Sequence, residues 1–297
     1  MAAILHEPVL QGEIASMLTP KGRGLVVDCT VGTGGHAAAL LEGGATRVLG
    51  LDRDAEVLPL ARERLAAWKN RVELVHADYR CLDEVLARLG IGEIDGALAD
   101  LGHSSIQLEA EGRGFSFRRE DPLDMRMDRS QGETLAEMLR GVTPESLADI
   151  IYTYGEERHS RRIARAIVEA LNNATVSTTI ELAAIVRRAV RHRGRARIDP
   201  ATRTFQALRI WVNQELEGLD VFLHSAASRL RDGARLAVIS FHSLEDRIVK
   251  YAFRELERGG EIAFGVLTRK PIRPSVSELS RNPRSRSAKL RVVRRGS

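Results

Sequence analysis

Apolar and polar positions follow two different rhythms along this chain. From Gly24 to Asp100 short apolar runs alternate with stretches of helical spacing. "LVVDCT", "RVLGLD", "VELVHAD" and "IDGALAD" are too short for helices and are bounded by turn residues, so each predicts a strand. Between them, "GGHAAALLEGG", "DAEVLPLARERLAAWKN" and "CLDEVLARLG" repeat apolar residues at helical spacing and close on Gly or polar residues. Strand and helix in alternation predict parallel βαβ units with helices on both faces of the sheet.

The rhythm breaks after Asp100. A polar loop covers residues 101–133, a length that usually carries function. Four helical patterns follow: "TLAEMLRG", "TPESLADIIYTYG", "RIARAIVEAL" and "TIELAAIVRRAVRH". Thr143-Pro144 and the run Ser177–Thr179 are helix-start signals. One long helix over 203–230 then predicts the return of the α/β pattern, with Asp232-Gly233 turning the chain into the strand "ARLAVIS". The helix "LEDRIVKYAFREL" and the strands "EIAFGVL" and "AKLRVVRR" complete the reading. The fold class is α/β: an open sheet with an all-helical domain inserted after its fourth strand. The expected boundaries are a discontinuous sheet domain over 1–105 and 205–297, and an insertion over 106–204.

Composition narrows the setting. Aromatics are only 4% of 297 residues, so the core must be aliphatic. Two cysteines, Cys29 and Cys81, build neither a disulfide framework nor a cysteine-rich metal site, which points to a reducing compartment. No apolar run approaches a membrane span, and the first residues lack a signal-peptide pattern, so a cytoplasmic protein without a membrane role is expected. The net charge of +5 hides a polarity. Residues 158–209 hold 12 arginines against 3 acids and residues 269–297 hold 10 cations against 1, each a net +9, which leaves −13 for the rest. An acidic body with two basic segments suits a polyanionic partner such as nucleic acid.

Chemistry concentrates in "VVDCTVGTGGHAAALL", where an apolar strand ends in an acid before a turn containing Gly32, Gly34 and Gly35. No Gly-Lys-Ser/Thr follows, so it is not a Walker A loop. The dinucleotide fingerprint fits in part, its third position falling on Ala37. Charge separates the remaining ligands. Asp28, directly below the turn, repels a pyrophosphate and attracts an ammonium or sulfonium, and S-adenosyl-L-methionine carries both. Asp52 ends the second strand, where an acid accepts hydrogen bonds from ribose hydroxyls. Tyr79 follows the third strand beside the expected adenine position. Asp100 ends the fourth, at the carboxyl edge where open α/β sheets bind ligands. Each acid alone also reads as an ordinary turn or cap residue. Two other classes compete: a nicotinamide dehydrogenase, which Asp28 and the lack of a Tyr-x-x-x-Lys pair disfavour, and a non-catalytic ribosome-assembly binder, which leaves the turn and Asp100 without purpose.

Blocks beyond the turn carry a family resemblance. "HEPVL", "GTGGH", "LDRD", "DLGHSSIQLEAEGRGFSFRREDPLDMRMD", "YGEER", "PATRTFQALRIWVNQEL", "ISFHSLEDRIVK" and "NPRSRSAKLR" occur in this order. Nearly the whole chain resembles the bacterial ribosomal RNA small subunit methyltransferase H family, formerly MraW. The resemblance implies a Rossmann-like S-adenosyl-L-methionine-dependent methyltransferase sheet with a helical insertion. It also implies methyl transfer to N4 of a cytidine in 16S rRNA, at the decoding centre of the small ribosomal subunit. By motif, the family's cofactor contacts fall on Gly34, Gly35, His36, Asp52, Tyr79, Asp100 and Gln107; Asp28 is added from charge alone. The chain departs from the family pattern at His103, Glu109 and Asp199.

An exocyclic cytosine amine is a weak nucleophile, so such an enzyme must align it and accept its hydrogen bonds and a proton. Asp100, in "DLGH", is either that acceptor or only a cofactor contact, and both readings stand. The prolines and aromatic that other amino methyltransferases carry after this strand are missing here. A stacking residue must come from elsewhere, with Phe115, Phe117, Phe241 and His242 as candidates. His242 reads equally as a structural histidine held by Ser243 and Glu245. No metal is expected, because His242 and Asp246 offer too few ligands. Of Arg203 and Arg209, six apart on one helix, one is expected to grip RNA and the other to serve structure. "PLDMRMD" reads as a substrate-side clamp or as a methionine plug. A monomer and a homodimer remain open.

Overall fold

The computed structural model describes residues 7–18, 24–102, 104–190 and 198–296. The chain forms two compact units, Met1–Gly102 with Leu216–Ser297, and His103–Glu215. Among the described residues no helix is long and apolar enough to cross a membrane.

The first unit begins α1 (Gln11–Leu18), β1 (Leu25–Asp28), α2 (Gly35–Glu42), β2 (Arg47–Asp52), α3 (Leu58–Arg64), β3 (Val72–His76), α4 (Leu82–Arg88) and β4 (Ile94–Asp100). The second unit holds α5 (Ser105–Glu109), α6 (Leu135–Met138), α7 (Pro144–Gly155), α8 (Ser160–Asn172), α9 (Thr179–Val190) and α10 (Ala201–Asn213). The first unit resumes with α11 (Leu219–Ser228), β5 (Leu230–Ser240), α12 (Ser243–Arg258), β6 (Phe264–Val266), α13 (Val276–Arg281) and β7 (Lys289–Arg295).

Seven strands form one Rossmann-like sheet in the order β3-β2-β1-β4-β5-β7-β6. β1 to β5 are parallel, and β7 runs antiparallel to both β5 and β6. Side-chain alternation along the strands divides the core in two. Val27, Leu49, Leu51, Ala97, Ala99 and Val238 pack with α4, α11 and α12 on one face. Val26, Val48, Leu98, Ala237 and Ile239 pack with α1 and α2 on the other. The order reverses between β1 and β4, which opens a crevice beyond their carboxyl ends. Asp28 and Asp100 stand at those two ends.

The terminal blocks of the sequence meet across this unit. The buried Leu10 amide donates to Glu278 at 2.8 Å, and Asn282 donates to the Glu7 carbonyl. Pro8 then lies so close to Gly35 that a Cβ there would be 2.8 Å from its ring. "HEPVL" and "NPRSRS" are thus one structural feature, seated on the start of α2; His6 itself lies outside the described residues.

In the second unit α7–α10 surround Leu147, Ile151, Ile163, Ile167, Leu182, Val186 and Phe205. Thr143 caps α7 with Pro144 in its first turn, as expected. Among the described residues of this unit the only strand-like pairing is an isolated bridge between Pro122 and Thr178.

Three expectations differ from the structure. The single helix over 203–230 is two helices, α10 and α11, because Gln214 takes a left-handed conformation (φ 49°) and Gly218 another (φ 68°). Apolar periodicity runs through both and conceals the break. As a result α10 belongs to the helical unit, which extends to Glu215 rather than ending at 204. Asp232-Gly233 also does not precede β5: the strand begins at Leu230, and its pairing with β4 shifts register between Ile94 and Gly96.

Candidate active site

The turn after β1 is built by hydrogen bonds that arise from its own sequence. The Cys29 amide donates to the Leu98 carbonyl, Val31 to Leu51 and Gly34 to Val31, which locks the loop onto β4 and β2. Gly32 and Gly34 have φ of 50° and 81°, a region that costs other residues strain. They differ in surroundings. A Cβ on Gly34 would press on Leu65 at 3.0 Å, so this glycine serves the approach of α3. A Cβ on Gly32 would meet nothing nearer than the Thr30 carbonyl at 3.9 Å, so its open side faces free space.

Three carboxylates surround the turn. Asp28 is fully buried; its Oδ1 accepts from the Thr30 amide at 3.2 Å, while Oδ2 is buried without a hydrogen-bond partner. Burial pushes its pKa up to about 7 against the opposing attraction of His36, and Asp100 and Asp52 raise it further. Asp52 accepts from the Gly32 amide through one oxygen and from the Asp54 amide through the other, at 2.8 and 2.9 Å. Burial raises its pKa to about 6, against those two hydrogen bonds. The Asp100 amide is fixed by the Thr30 hydroxyl at 2.7 Å, and its Oδ1 is buried without a partner.

His36, in the first turn of α2, is the one titratable base facing this group among the described residues. Its Nε2 lies 3.5 Å from Asp100 Oδ2, longer than a good hydrogen bond, and both ring nitrogens are buried without a hydrogen-bond partner. Burial opposes its charged form, yet Asp100 and then Asp28 outweigh this and raise its pKa above the ordinary histidine value. Burial thus favours a bound proton on Asp28, and the neighbouring acids favour one on His36.

Phe241, the residue after β5, lies beside the chain that leaves β4: a Cβ on Gly102 would sit 3.4 Å from its ring. Phe241 is half-buried and its amide donates to Glu245 at 2.8 Å. Tyr79 begins a 3-10 turn capped by Asp78 and packs on Phe222 of α11, ring centroids 4.6 Å apart.

Residues 3–296 match the MraW methylase family. The chain belongs to that family. It is 51% identical to the ribosomal RNA small subunit methyltransferase H of Sorangium cellulosum, over 98% of this chain and 90% of that one. It is 49% identical to the protein of the same name from Thermotoga neapolitana, over 97% of this chain and 95% of the relative. Among solved structures, a ribosomal RNA methylase from Streptococcus thermophilus aligns with a TM-score of 0.44 at 14% identity, covering 99% of this chain and 100% of that one.

The other residues that sequence singled out in this MraW-family chain have these places. Gln107 is buried in the second unit and closes the capping box of α5, its side-chain oxygen accepting from the Ser104 amide at 2.9 Å. Phe115 is buried with the Arg113 guanidinium 6.0 Å from its ring centre. Phe117 meets Phe205 edge-on at 4.9 Å and takes the Arg187 guanidinium at 5.6 Å, so its ring is occupied inside the helical core. Arg209 is a bidentate partner of buried Glu215 at 2.8 Å, whereas Arg203 stands half-exposed, 3.9 Å from Glu157. Met125 and Met127 are buried, and Asn213 of α10 clasps their backbone: it donates to the Met125 carbonyl and accepts from the Met127 amide. The "PLDMRMD" segment is therefore a packed element of its own unit.

His242 is the N-cap of α12. Its Nδ1 accepts from the Glu245 amide at 3.4 Å, and its Nε2 is 3.0 Å from Glu245 Oε1. Glu245, one of the two partners expected for a structural histidine, holds it from both ring nitrogens. Asp246 pairs with Lys289 and Arg291, which hold its pKa below the usual carboxylate value against its burial. Sequence reasoning missed two features: the Thr30 hydroxyl that fixes Asp100, and the contact of His36 with Asp100 across 64 residues. His103 lies outside the described residues.

Proposed function

We propose that this chain transfers a methyl group from S-adenosyl-L-methionine to N4 of a specific cytidine in 16S rRNA, at the decoding centre of the small ribosomal subunit. One observation carries the reading. Asp28 Oδ2, Asp100 Oδ1 and both His36 nitrogens are buried without partners around a glycine turn whose Gly32 faces open space. Buried polar atoms normally have partners, so a set this dense marks a place where a ligand supplies them. The name of the relatives and the two basic segments support RNA as the substrate.

The donor set fits the cofactor. Asp28 offers the positive end of S-adenosyl-L-methionine a carboxylate, Asp52 accepts from the ribose hydroxyls with the lone pairs its two amide bonds leave free, and Gly32, open on one side, lets the backbone come close. When bound, the cofactor supplies an electrophilic methyl on a sulfonium. Asp100 Oδ1 accepts a hydrogen bond from the substrate amine, which localises its lone pair, and the Asp100 carboxylate takes the proton the amine loses once the N–CH3 bond has formed, with the neighbouring His36 offsetting the carboxylate's charge beforehand. Phe241 takes the place of the aromatic missing after β4 and stacks on the base.

The test is label transfer from radioactive S-adenosyl-L-methionine to small ribosomal subunits from a strain lacking this gene, followed by digestion and mass identification of the labelled nucleoside. Label on N4-methylcytidine is expected. Cofactor binding with no label on subunits, naked 16S rRNA or DNA would overturn the substrate.

A further inference from the structure

The C-terminal half of α12 carries a feature that methyl transfer at the β1–β4 crevice does not use. A cleft of ≈ 410 Å³ opens between α12 and the β6–β7 edge, lined among others by Lys250, Arg254, Arg258, Arg269 and Arg291. Lys250, Arg254 and Arg258 recur every fourth residue and therefore share one face of the helix, about 6 Å apart along its axis. Like charges at this spacing repel, by a few tenths of a kcal/mol per pair. Such a ladder persists where something outside the helix compensates it.

Inside the unit the cleft's lining sets one acid, Glu257, against five cations. Lys250, Arg254, Arg258 and Arg269 form no ion pair with an acid among the described residues. The two acids of this stretch are turned to other groups: Glu257 accepts from the Val266 amide at 3.1 Å, and Glu255 faces His224 at 3.7 Å. Arg291 at the cleft's floor is buried and already holds Asp246 at 2.7 Å. A helix C-terminus does favour cations, but that effect is confined to the last turn and does not reach Lys250 or Arg254. The cleft thus presents Lys250, Arg254 and Arg258 in line over about two helical turns, with Arg269 added from the chain after β6.

We infer that this cleft binds successive phosphates of the RNA backbone, outside the methyl-transfer site; the inference rests on the RNA-methyltransferase reading above. A run of cations along a helix matches a run of phosphodiesters, whereas one small anion would engage only two of them. Contacts of this kind fix the register of a nucleic acid without reading its sequence.

The test compares the intact wild type with the triple variant Lys250→Gln, Arg254→Gln, Arg258→Gln, all on the face of α12 turned away from the sheet core. Binding of a 16S rRNA transcript is measured from 50 to 300 mM salt, with S-adenosyl-L-methionine affinity and thermal unfolding as controls. The variant should bind RNA at least tenfold more weakly at low salt, and the slope of log K against log salt should flatten by about 2 to 3. Cofactor affinity should not change. An unchanged slope and RNA affinity in a folded variant overturns the cleft while leaving the methyltransferase reading in place. A wild type that neither binds nor methylates RNA overturns that reading itself. Inorganic phosphate at matched ionic strength is the second arm. If millimolar phosphate stabilises the wild type and not the variant while both bind RNA equally, the cleft takes a free phosphate and the backbone assignment falls.

Discussion

Asp28→Asn isolates the charge on which the cofactor reading depends. The carboxyl is fully buried and its pKa stands at about 7, against 3.8 in an unfolded chain, mainly because burial penalises the anion. Between these two values the folded protein holds a proton that the unfolded chain has released, so stability falls as pH rises through the window. At about 1.4 kcal/mol per unit, Asp28 costs about 4 kcal/mol above pH 7 and about 1 to 2 kcal/mol at pH 5. Asparagine keeps the shape and the acceptor for the Thr30 amide without the charge. The variant should therefore be more stable than the wild type, and its advantage should grow by about 2 to 3 kcal/mol between pH 5 and pH 8.

The chain has two tryptophans, Trp68 in the sheet unit and Trp211 in the helical unit, so Trp211→Phe leaves a fluorophore that reports on the sheet unit alone. Urea unfolding in that background, at both pH values, gives the comparison. His36 titrates in the same range and loses one of its supporting charges when Asp28 is replaced, which is why the difference between the two proteins matters and not the slope of either. A cationic ligand reverses the sign for binding. It favours the carboxylate, so wild-type affinity for S-adenosyl-L-methionine should rise with pH, by up to tenfold per unit below about pH 7, and Asp28→Asn should bind more weakly without that component. An advantage equal at pH 5 and pH 8 would refute the buried-charge account. Equal cofactor affinity in the two proteins would remove Asp28 from the site.

Phe241→Ala should lower kcat/KM for RNA at least tenfold with cofactor affinity unchanged, and Phe241→Tyr should restore most of it; steady-state methylation checks both. Asp100→Asn should keep RNA affinity within about twofold and reduce kcat by roughly 100-fold or more, the range of a lost positioned acid or base, measured as single-turnover label transfer. Arg209→Ala removes the bidentate partner of buried Glu215 and should cost up to about 3 to 5 kcal/mol by urea unfolding. Arg203→Ala, half-exposed, should change stability by less than about 0.5 kcal/mol and weaken RNA binding instead.

The sheet was legible because each strand end is written locally: an apolar run too short for a helix, closed by Asp28, Asp52 or Asp100. Pattern alone failed where one residue's backbone departs from its neighbours' trend. Gln214 carries no glycine or proline signal, yet its φ of 49° separates α10 from α11 and moves α10 into the other unit. Roles that depend on distant partners were equally hidden. Nothing near Arg203 and Arg209 says which one meets Glu215, and nothing near Phe117 announces Phe205 and Arg187 on its ring. Phe241 stood as one of four aromatic candidates in the sequence; only folding brings it beside Gly102.

The charges around the turn also discriminate between the two cofactor classes that a glycine-rich loop admits. Asp28 feels both Asp100 and Asp52 as repulsive neighbours, and His36 is the nearest group that offsets them. The turn holds no lysine or arginine: the nearest cation to Gly35, Arg64 of α3, lies against the side on which Pro8 packs. A dinucleotide would bring a doubly charged pyrophosphate to the start of α2, adding like charge to a carboxylate that already retains its proton up to about pH 7. The dipole of an eight-residue helix offers about half an elementary charge, too little to offset three acids. A sulfonium with a nearby ammonium inverts the balance, because each acid then gains a partner and the pKa of Asp28 returns toward its ordinary value. The burial that makes the Asp28 and Asp52 carboxylates costly at neutral pH thus favours a cationic ligand, which is the physical reason for preferring S-adenosyl-L-methionine to NAD at this turn.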